Sequence, residues 1–404
     1  MSDAELRTRA ASLDAEDSLA GFRERFLPAD GLVAYFDGNS LGRPPRATAE
    51  RLASFVTGEW GGRLIRGWDE GWVELPVTVG DELAAAVLGA APGQTVVADS
   101  TSVNLFKVLH AACRLRPDRY EIVIDTTNFP TDRYLVEGVA EQRGMTVRWI
   151  EPDLVENVTA AALAEVLGER TAAVVLSHVD YRSGTILDVA GLTQQVHASG
   201  GLIVWDLCHS AGVLPIALDA ADVDFAVGCT YKYLNAGPGA PAFLYVAARH
   251  LSEAAQPVPG WFSAADLFAM SGTYTAAPDI RRMLSGTPNL MGILAVREGA
   301  KMVAEAGLEA IRAKSILLTE FLLEQVDRLD VAMLSPRSSE RRGSHVTIQV
   351  PDAAGVAGRL GAAGVIPDVR HPDLLRLGLS PLSTSFTEVH EGWAVLADIL
   401  GPPH

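Results

Sequence analysis

The 404-residue chain is predicted to be an α/β protein, with a large domain on a mainly parallel seven-stranded sheet and a smaller α+β domain after it. Three observations predict this. Seven short apolar runs punctuate the middle of the chain: TVVAD (95–99), EIVIDT (121–126), TVRWIE (146–151), AAVVLSHV (172–179), LIVWD (202–206), FAVGCT (225–230) and APAFLYV (240–246). Segments with helical spacing, such as 103–115 and 188–198, separate several of them. From about residue 292 the alternation stops. Runs buried on both faces and alternating with helices build βαβ units around a parallel sheet.

The elements follow in order. Residues from Asp3 to about Arg25 read as polar helix. FDGNSLGRPP (36–45) is rich in turn formers, punctuated by Gly38, Gly42 and a proline pair. A helix is expected from Arg46 to Thr57. WGGRLIRGWDEGW (60–72) fits neither the helical nor the strand period, and reads either as a loop with packed aromatics or as part of a site. After the seven runs, one or two long helices fill 291–326. A strand at HVTIQV (345–350), a helix, LLRLGLS (374–380) and a last helix to Leu400 complete the chain. The expected division is a large domain over 46–290, with 1–45 and 291–404 together forming the small one. No repeat, coiled coil or low-complexity tract is evident.

Composition narrows the function. Hydrophobic residues make up 48% of the chain and charged residues 21%, a core-rich globular balance. The net charge is −17 and no basic stripe exists, so a nucleic-acid partner is not expected. The three cysteines, Cys113, Cys208 and Cys229, include no CxxC pair, which speaks against a disulfide framework or a zinc ribbon. Nine histidines show no HExxH or similar cluster, so no metal site is expected. MSDAELRTRAASLDAEDS lacks an apolar signal core, and no run approaches the ~20 apolar residues of a membrane span. The richest, LIVWDLCHSAGVLPIAL, is interrupted by Asp206 and His209. A cytoplasmic protein with no membrane partner is the expectation.

Ligands of parallel sheets sit outside the carboxyl ends of the strands, so the residues after each run are the candidates. Ser100, Thr101 and Ser102 stand where TVVAD hands over to an amphipathic helix. Hydroxyls and free N–H groups at a helix start cap it and can bind an anion. Phe129 and Pro130 follow EIVIDT; an aromatic there either packs on the core or lies flat on a heterocycle. Asp206 closes LIVWD, with His209 three residues on. A carboxylate ending an apolar strand either caps the next segment or meets a cation. Lys232 lies between two tyrosines, past FAVGCT and before a glycine-rich turn. Any one lysine is usually a surface residue. Here the combination matters, because Asp206 and Lys232 fall 26 positions apart, each after an apolar strand. A pyridoxal enzyme needs that pairing: a carboxylate for the ring nitrogen and an amine for the aldehyde. The hydroxyl-rich helix start supplies a phosphate cup.

At these residues the sequence resembles the kynureninase family, fold-type-I pyridoxal phosphate enzymes of the aminotransferase class V group. The resemblance covers nearly the whole chain: FDGNSLG (36–42), WGxxLIRxW (60–68), DSTSVNLFKVL (99–109), NFPTDRY (128–134), DLCHSAG (206–212), TYKYLNAGPG (230–239), PGWF (259–262), RRGSHV (341–346) and LRLGLSPLSTSF (375–386). It implies the fold-type-I transferase fold and pyridoxal 5'-phosphate held as a Schiff base on Lys232. It further implies that Thr101, Ser102 and Tyr231 hold the phosphate and that Phe129 stacks on the ring. Asp132, Ser177 and His209 would line the cofactor, while Asp206 pairs with its nitrogen. Trp261 and Thr287 are expected to reach the phosphate across a homodimer interface with shared active sites. Arg376 would clamp the substrate α-carboxylate, with Trp68 and Gly286 near its aryl end. The implied reaction is hydrolysis of L-kynurenine to anthranilate and L-alanine, with Lys232, Asp206 and Tyr231 as the catalytic groups.

Two departures from the family pattern bear on the substrate. GWF continues as Ser263-Ala264 in place of Gly-His, and PLY becomes PLS with Ser383. A site that loses such groups can accept a 3-hydroxy or otherwise modified aryl ring, or a different β-acyl group. A C–S lyase of the same group would need a reactive cysteine well after the lysine, whereas the last one, Cys229, precedes Lys232. An aminotransferase shares the cofactor residues. A retired binding protein would not need to keep both Lys232 and Asp206.

Overall fold

A computed structural model describes residues 2–329 and 331–401. In chain order the strands are β1 (Ala34–Tyr35), β2 (Thr95–Ala98), β3 (Glu121–Asp125), β4 (Thr146–Ile150), β5 (Thr171–Ser177), β6 (Leu202–Asp206), β7 (Phe225–Gly228), β8 (Ala242–Val246), β9 (Ala332–Met333), β10 (His345–Gln349), β11 (Val365–Ile366), β12 (Asp368–Arg370) and β13 (Leu374–Gly378). Each of the seven apolar runs is a strand of one seven-stranded sheet, ordered β2-β8-β7-β6-β5-β3-β4. All pairings are parallel except those of β8, which runs antiparallel to β2 and β7. Helices Thr101–Arg114, Pro130–Arg143, Ala160–Val166 and Val189–Ala198 return the chain between β2 and β6, whereas the Lys232 loop between β7 and β8 holds no helix.

Burial matches the composition of each strand. β2, β3, β6, β7 and β8 are buried throughout, and β5 in all but Ser177. The edge strand β4 is mostly half-exposed and carries Thr146 and Arg148, as an edge strand needs to resist pairing with other chains. Neighbouring residues serve opposite faces: Val123 joins one core with Val174, Ile203 and Trp205, while Ile122 and Ile124 join the other with Leu105, Leu109 and Val136 of the covering helices. Each such aliphatic side chain contributes about 1.5–3 kcal/mol by leaving water.

The second sheet is antiparallel, ordered β12-β13-β10-β9, and β1 pairs in parallel with β11. Helix Asp3–Glu16 lays Leu6 and Ala10 into this core, beside helix Phe386–Leu400. Its Asp14 carboxylate accepts the N–H groups of Phe386 and Thr387, each at 3.0 Å, satisfying two free donors at that helix start. No described helix is long and apolar enough to cross a membrane.

Several elements differ from expectation. The N-terminal helix ends at Glu16, and a separate turn covers 20–25. The helix from Arg46 is regular only to Ser54, then widens through Trp60. Helices Leu75–Leu83 and Pro130–Arg143 were not anticipated. The stretch 291–326 is two helices, Leu290–Ala306 and Leu308–Val326, parted at Gly307, whose φ is +79°.

Candidate active site

Nine of the residues singled out in the sequence meet around one cavity at the carboxyl ends of the parallel strands: Thr101, Ser102, Phe129, Asp132, Ser177, Asp206, His209, Tyr231 and Lys232. The cavity and its open mouth together hold about 510 Å³ of space not filled by protein atoms. Thr131, Val179, Tyr181 and Cys208 complete its wall.

Each side chain is placed by a strand end. Thr101 and Ser102 open the helix after β2, where the Ser100 hydroxyl accepts the Val103 N–H at 3.3 Å. Phe129 precedes the helix after β3, and its ring stands edge-on to Tyr181 with centroids 5.3 Å apart. Ser177 and Asp206 end β5 and β6 and are register partners. The Ser177 hydroxyl donates to Asn128 Oδ1 at 3.0 Å, and Asn128 donates to Asp125 at 2.8 Å. Asp206 Oδ1 accepts the Cys208 N–H at 2.8 Å. Lys232 Nζ lies 2.9 Å from His209 Nε2.

The Lys232 loop is pinned from several sides. Thr230 donates to the Pro241 carbonyl at 2.7 Å, and Gly42 N–H donates to the Tyr231 carbonyl at 2.8 Å. A Cβ on Gly42 would lie 2.3 Å from the Lys232 carbonyl oxygen, and one on Gly299 would lie 1.9 Å from that of Leu234. Both glycines are therefore required by close approach to this loop.

Burial sets the charges. Burial and then the Asp206 carboxylate push the Asp132 carboxyl well above the usual range, and its Oδ2 has no partner among the described residues. Burial, reinforced by Lys232 and Arg376, drives the His209 imidazole well below its ordinary value. His209 is therefore neutral at pH 7. Its Nε2 shares a hydrogen bond with the Lys232 amine, and its Nδ1 has no partner among the described residues. The Tyr231 phenol is pushed upward by burial and by Cys229, so it keeps its proton.

The remaining candidates lie outside this cavity. Arg376 is wholly buried on β13, with Nη2 2.6 Å from Ser40 Oγ and Nη1 bonded to the Tyr181 carbonyl. Burial and then Arg370 lower its pKa to about 10. Trp68 packs edge-on against Trp72 at 5.4 Å and Phe262 at 5.8 Å. Trp261 packs on Phe262 at 4.5 Å. Gly286 and Thr287 line an adjoining groove that shares Thr101 and Tyr231 with the cavity. Sequence reasoning missed Tyr181, Ser40 and Asp368, which pairs with Arg376. Tyr181 follows the end of β5 by four residues, so the strand-end rule could have found it. Ser40 lay in a turn recognised only as a turn.

The two departures have local consequences. The Ser263 hydroxyl is buried, 2.8 Å from the Gly260 carbonyl oxygen and 3.0 Å from Tyr274 Oη, and so ties the following segment to the Trp261 turn. Ser383 is buried with its hydroxyl unpartnered among the described residues. All three cysteines are buried. Among the described residues no group of His, Cys, Asp or Glu is arranged to hold a metal ion.

The site has the donor set for pyridoxal phosphate. A helix start with two hydroxyls suits a phosphate dianion. Buried carboxyls, one without a partner, suit a ring cation and a phenol, and an amine opens onto the same space.

Comparison with known proteins gives a consistent result. The aminotransferase class-V family matches residues 79–360. Kynureninase from Pseudomonas fluorescens is 40% identical over 98% of this chain and 95% of its own. Kynureninase from Burkholderia pseudomallei strain 1106a is 41% identical over the same shares. Among solved structures, the Escherichia coli cysteine desulfurase CsdA superposes with a TM-score of 0.81 at 17% identity, over 95% of this chain and 98% of that one. A C-DES variant with glycine covalently linked to its PLP cofactor superposes with a TM-score of 0.79 at 20% identity, over 90% and 96%. At such identities these structures establish the fold alone. The chain belongs to the kynureninase family within the class-V aminotransferases.

Proposed function

We propose that the chain is a pyridoxal-phosphate-dependent hydrolase that cleaves the Cβ–Cγ bond of L-kynurenine, or of a ring-substituted form such as 3-hydroxykynurenine. The products are the corresponding anthranilate and L-alanine. The observation that carries this reading is one cavity holding the Lys232 amine and the Asp206 carboxylate at the ends of adjacent strands, in a chain of this family. The cofactor, when bound, supplies an electron sink for the substrate α-carbon.

The chain's residues do the rest. Thr101, Ser102 and the N–H groups of their helix would hold the phosphate, helped by Tyr231. Phe129, Ser177 and Asp132 would flank the ring, and Asp206 would pair with its nitrogen. Lys232 would hold the cofactor through its amine and, when free, would move the proton at the substrate α-carbon. His209, neutral, hydrogen-bonds that lysine and adds no charge beside it. Tyr231 retains its proton and can deliver it to Cβ as the bond breaks. Water supplies OH to the aryl carbonyl carbon and H to Cβ, so the atoms balance. Arg376 holds the α-carboxylate, a planar two-point task suited to a guanidinium. Trp68 and Gly286 face the aryl end.

A cytoplasmic homodimer is the proposed working form. The three cysteines are unpaired, as suits a reducing compartment. Trp261 and Thr287 lie off the cavity of their own chain, and in a dimer each would complete the phosphate site of the other subunit. The test is alanine release by the holoenzyme from L-kynurenine and 3-hydroxykynurenine. Stoichiometric alanine and anthranilate are expected. No alanine from either, or sulfur release from cysteine in its place, would overturn the assignment.

A further inference from the structure

Asp368 lies opposite Arg376 in the β12–β13 register. Its Oδ2 stands 2.5 Å from Arg376 Nη2 and 2.8 Å from Arg370 Nη2. Neither approach has hydrogen-bond alignment: among the described residues Oδ2 has no directed partner. The carboxylate is thus held between two guanidiniums by charge. Arg370 lies 5.6 Å over the Tyr181 ring, and Tyr181 walls the cavity against Phe129. The Tyr181 carbonyl in turn accepts from Arg376.

One carboxylate, that of Asp368, therefore lies between two guanidiniums, and burial raises the pKa of the nearby Asp37 carboxyl.

We propose that Asp368 is an exchangeable counter-ion: it positions Arg376 before substrate arrives, then yields it to the α-carboxylate of an amino-acid substrate and stays with Arg370. The proposal rests on the assignment of Arg376 as the carboxylate clamp. The exchange leaves two carboxylates on two guanidiniums once substrate is bound, so the displaced Asp368 is not left without a cation. Asp368 is therefore a positioning residue that competes with substrate and sets its affinity. Through Arg370 it also couples carboxylate binding to the Tyr181 wall.

The test uses the holoenzyme, with binding read from the cofactor's visible absorbance. Asp368→Asn keeps the shape and removes the competing charge. L-Alanine should bind tighter by on the order of tenfold, the scale of one close charge contact, while ethylamine, which lacks the carboxylate, is unchanged. Arg376→Met separates the two assignments. If it leaves L-alanine binding unaltered, the clamp assignment fails and this proposal with it. If it weakens L-alanine but Asp368→Asn does not tighten it, only the counter-ion proposal is overturned. Should Asp368→Asn fail to fold, Arg370→Met reads the same competition, since Asp368 then rests on Arg376 alone. L-Alanine should weaken while ethylamine does not; equal effects on both would overturn the proposal.

Discussion

The amine of Lys232 sits 2.9 Å from Nε2 of a buried, neutral His209. A neutral imidazole adds no positive charge beside the amine and shares a hydrogen bond with it. The amine is thereby aimed into the cavity before any ligand binds. Lys232→Ala should take up pyridoxal phosphate without the visible band of a covalent linkage. Its turnover should fall by roughly 10²–10⁴, the range for loss of a positioned proton-transfer group. Absorbance and alanine release measure the two effects, and a retained band would overturn the lysine assignment.

His209 also makes a claim about pH. Its folded pKa lies below the ordinary value, so the unfolded chain binds the proton more readily. The stability it contributes is present above about pH 6.5 and declines as pH falls below that. His178, which burial lowers to about 4, acts in the same direction. His209→Gln keeps a hydrogen-bonding acceptor without a titrating ring. Thermal melts from pH 7 to pH 5 should therefore decline less steeply for this variant than for the parent chain.

Much of this arrangement was legible in the sequence because strand ends carry the site. Seven apolar runs gave seven strands, and Asp206 and Lys232 stood out as charged groups at the ends of buried ones. The antiparallel turn of β8 was not legible, since an apolar run has no direction. β1, β9, β11 and β12 are two or three residues long, too short for any period. Ser40 and Asp368 reach Arg376 only through folding, one from a turn 336 positions away and one across a strand register. No local pattern encodes such a meeting.

Asp132 is a buried carboxyl whose folded pKa is raised, chiefly by burial. In the cofactor-free protein its contribution to stability is present below about pH 4 and is lost as pH rises through the raised folded value. Asp132→Asn mimics the protonated acid. The cofactor-free variant should melt higher than the parent chain at pH 8 and at about the same temperature at pH 4. A variant that melts lower at pH 8 would show that Asp132 is ionised and paired there.

Gly42 links the N-terminal turn to catalysis. A methyl group at this position would lie 2.3 Å from both the Lys232 carbonyl oxygen and Asn235 Oδ1, so Gly42→Ala must displace the lysine loop or the turn. Overpacking of this kind costs about 1–3 kcal/mol. Because Ser40 in the same turn meets Arg376, the variant should show a raised KM for substrate as well as a lower melting temperature. A loss of stability alone, with KM unchanged, would mean that turn and loop move independently.

Asp224 tests the opposite end of the sheet. It is 1% exposed and accepts from His197 and His250 at 2.8 Å, Arg249 at 2.6 Å and the Ile203 N–H at 2.8 Å. Burial opposes its charge, but the hydrogen bonds from His250, Ile203 and His197 prevail and hold its pKa at about 2. Because the folded pKa is depressed, its stabilisation is present above about pH 4 and is lost as pH falls towards 2. The difference from an ordinary aspartate corresponds to about 2 kcal/mol, less whatever solvent screening takes at the partly exposed Arg249 and His197. Asp224→Asn should lower stability at pH 7 by about that amount and flatten the loss between pH 4 and pH 2, measured by denaturant unfolding. The cofactor band at pH 7 should be unaffected, because the knot lies at the ends of the strands away from Lys232. A variant that loses the band while still folded would show that this end of the sheet also sets the geometry of the site.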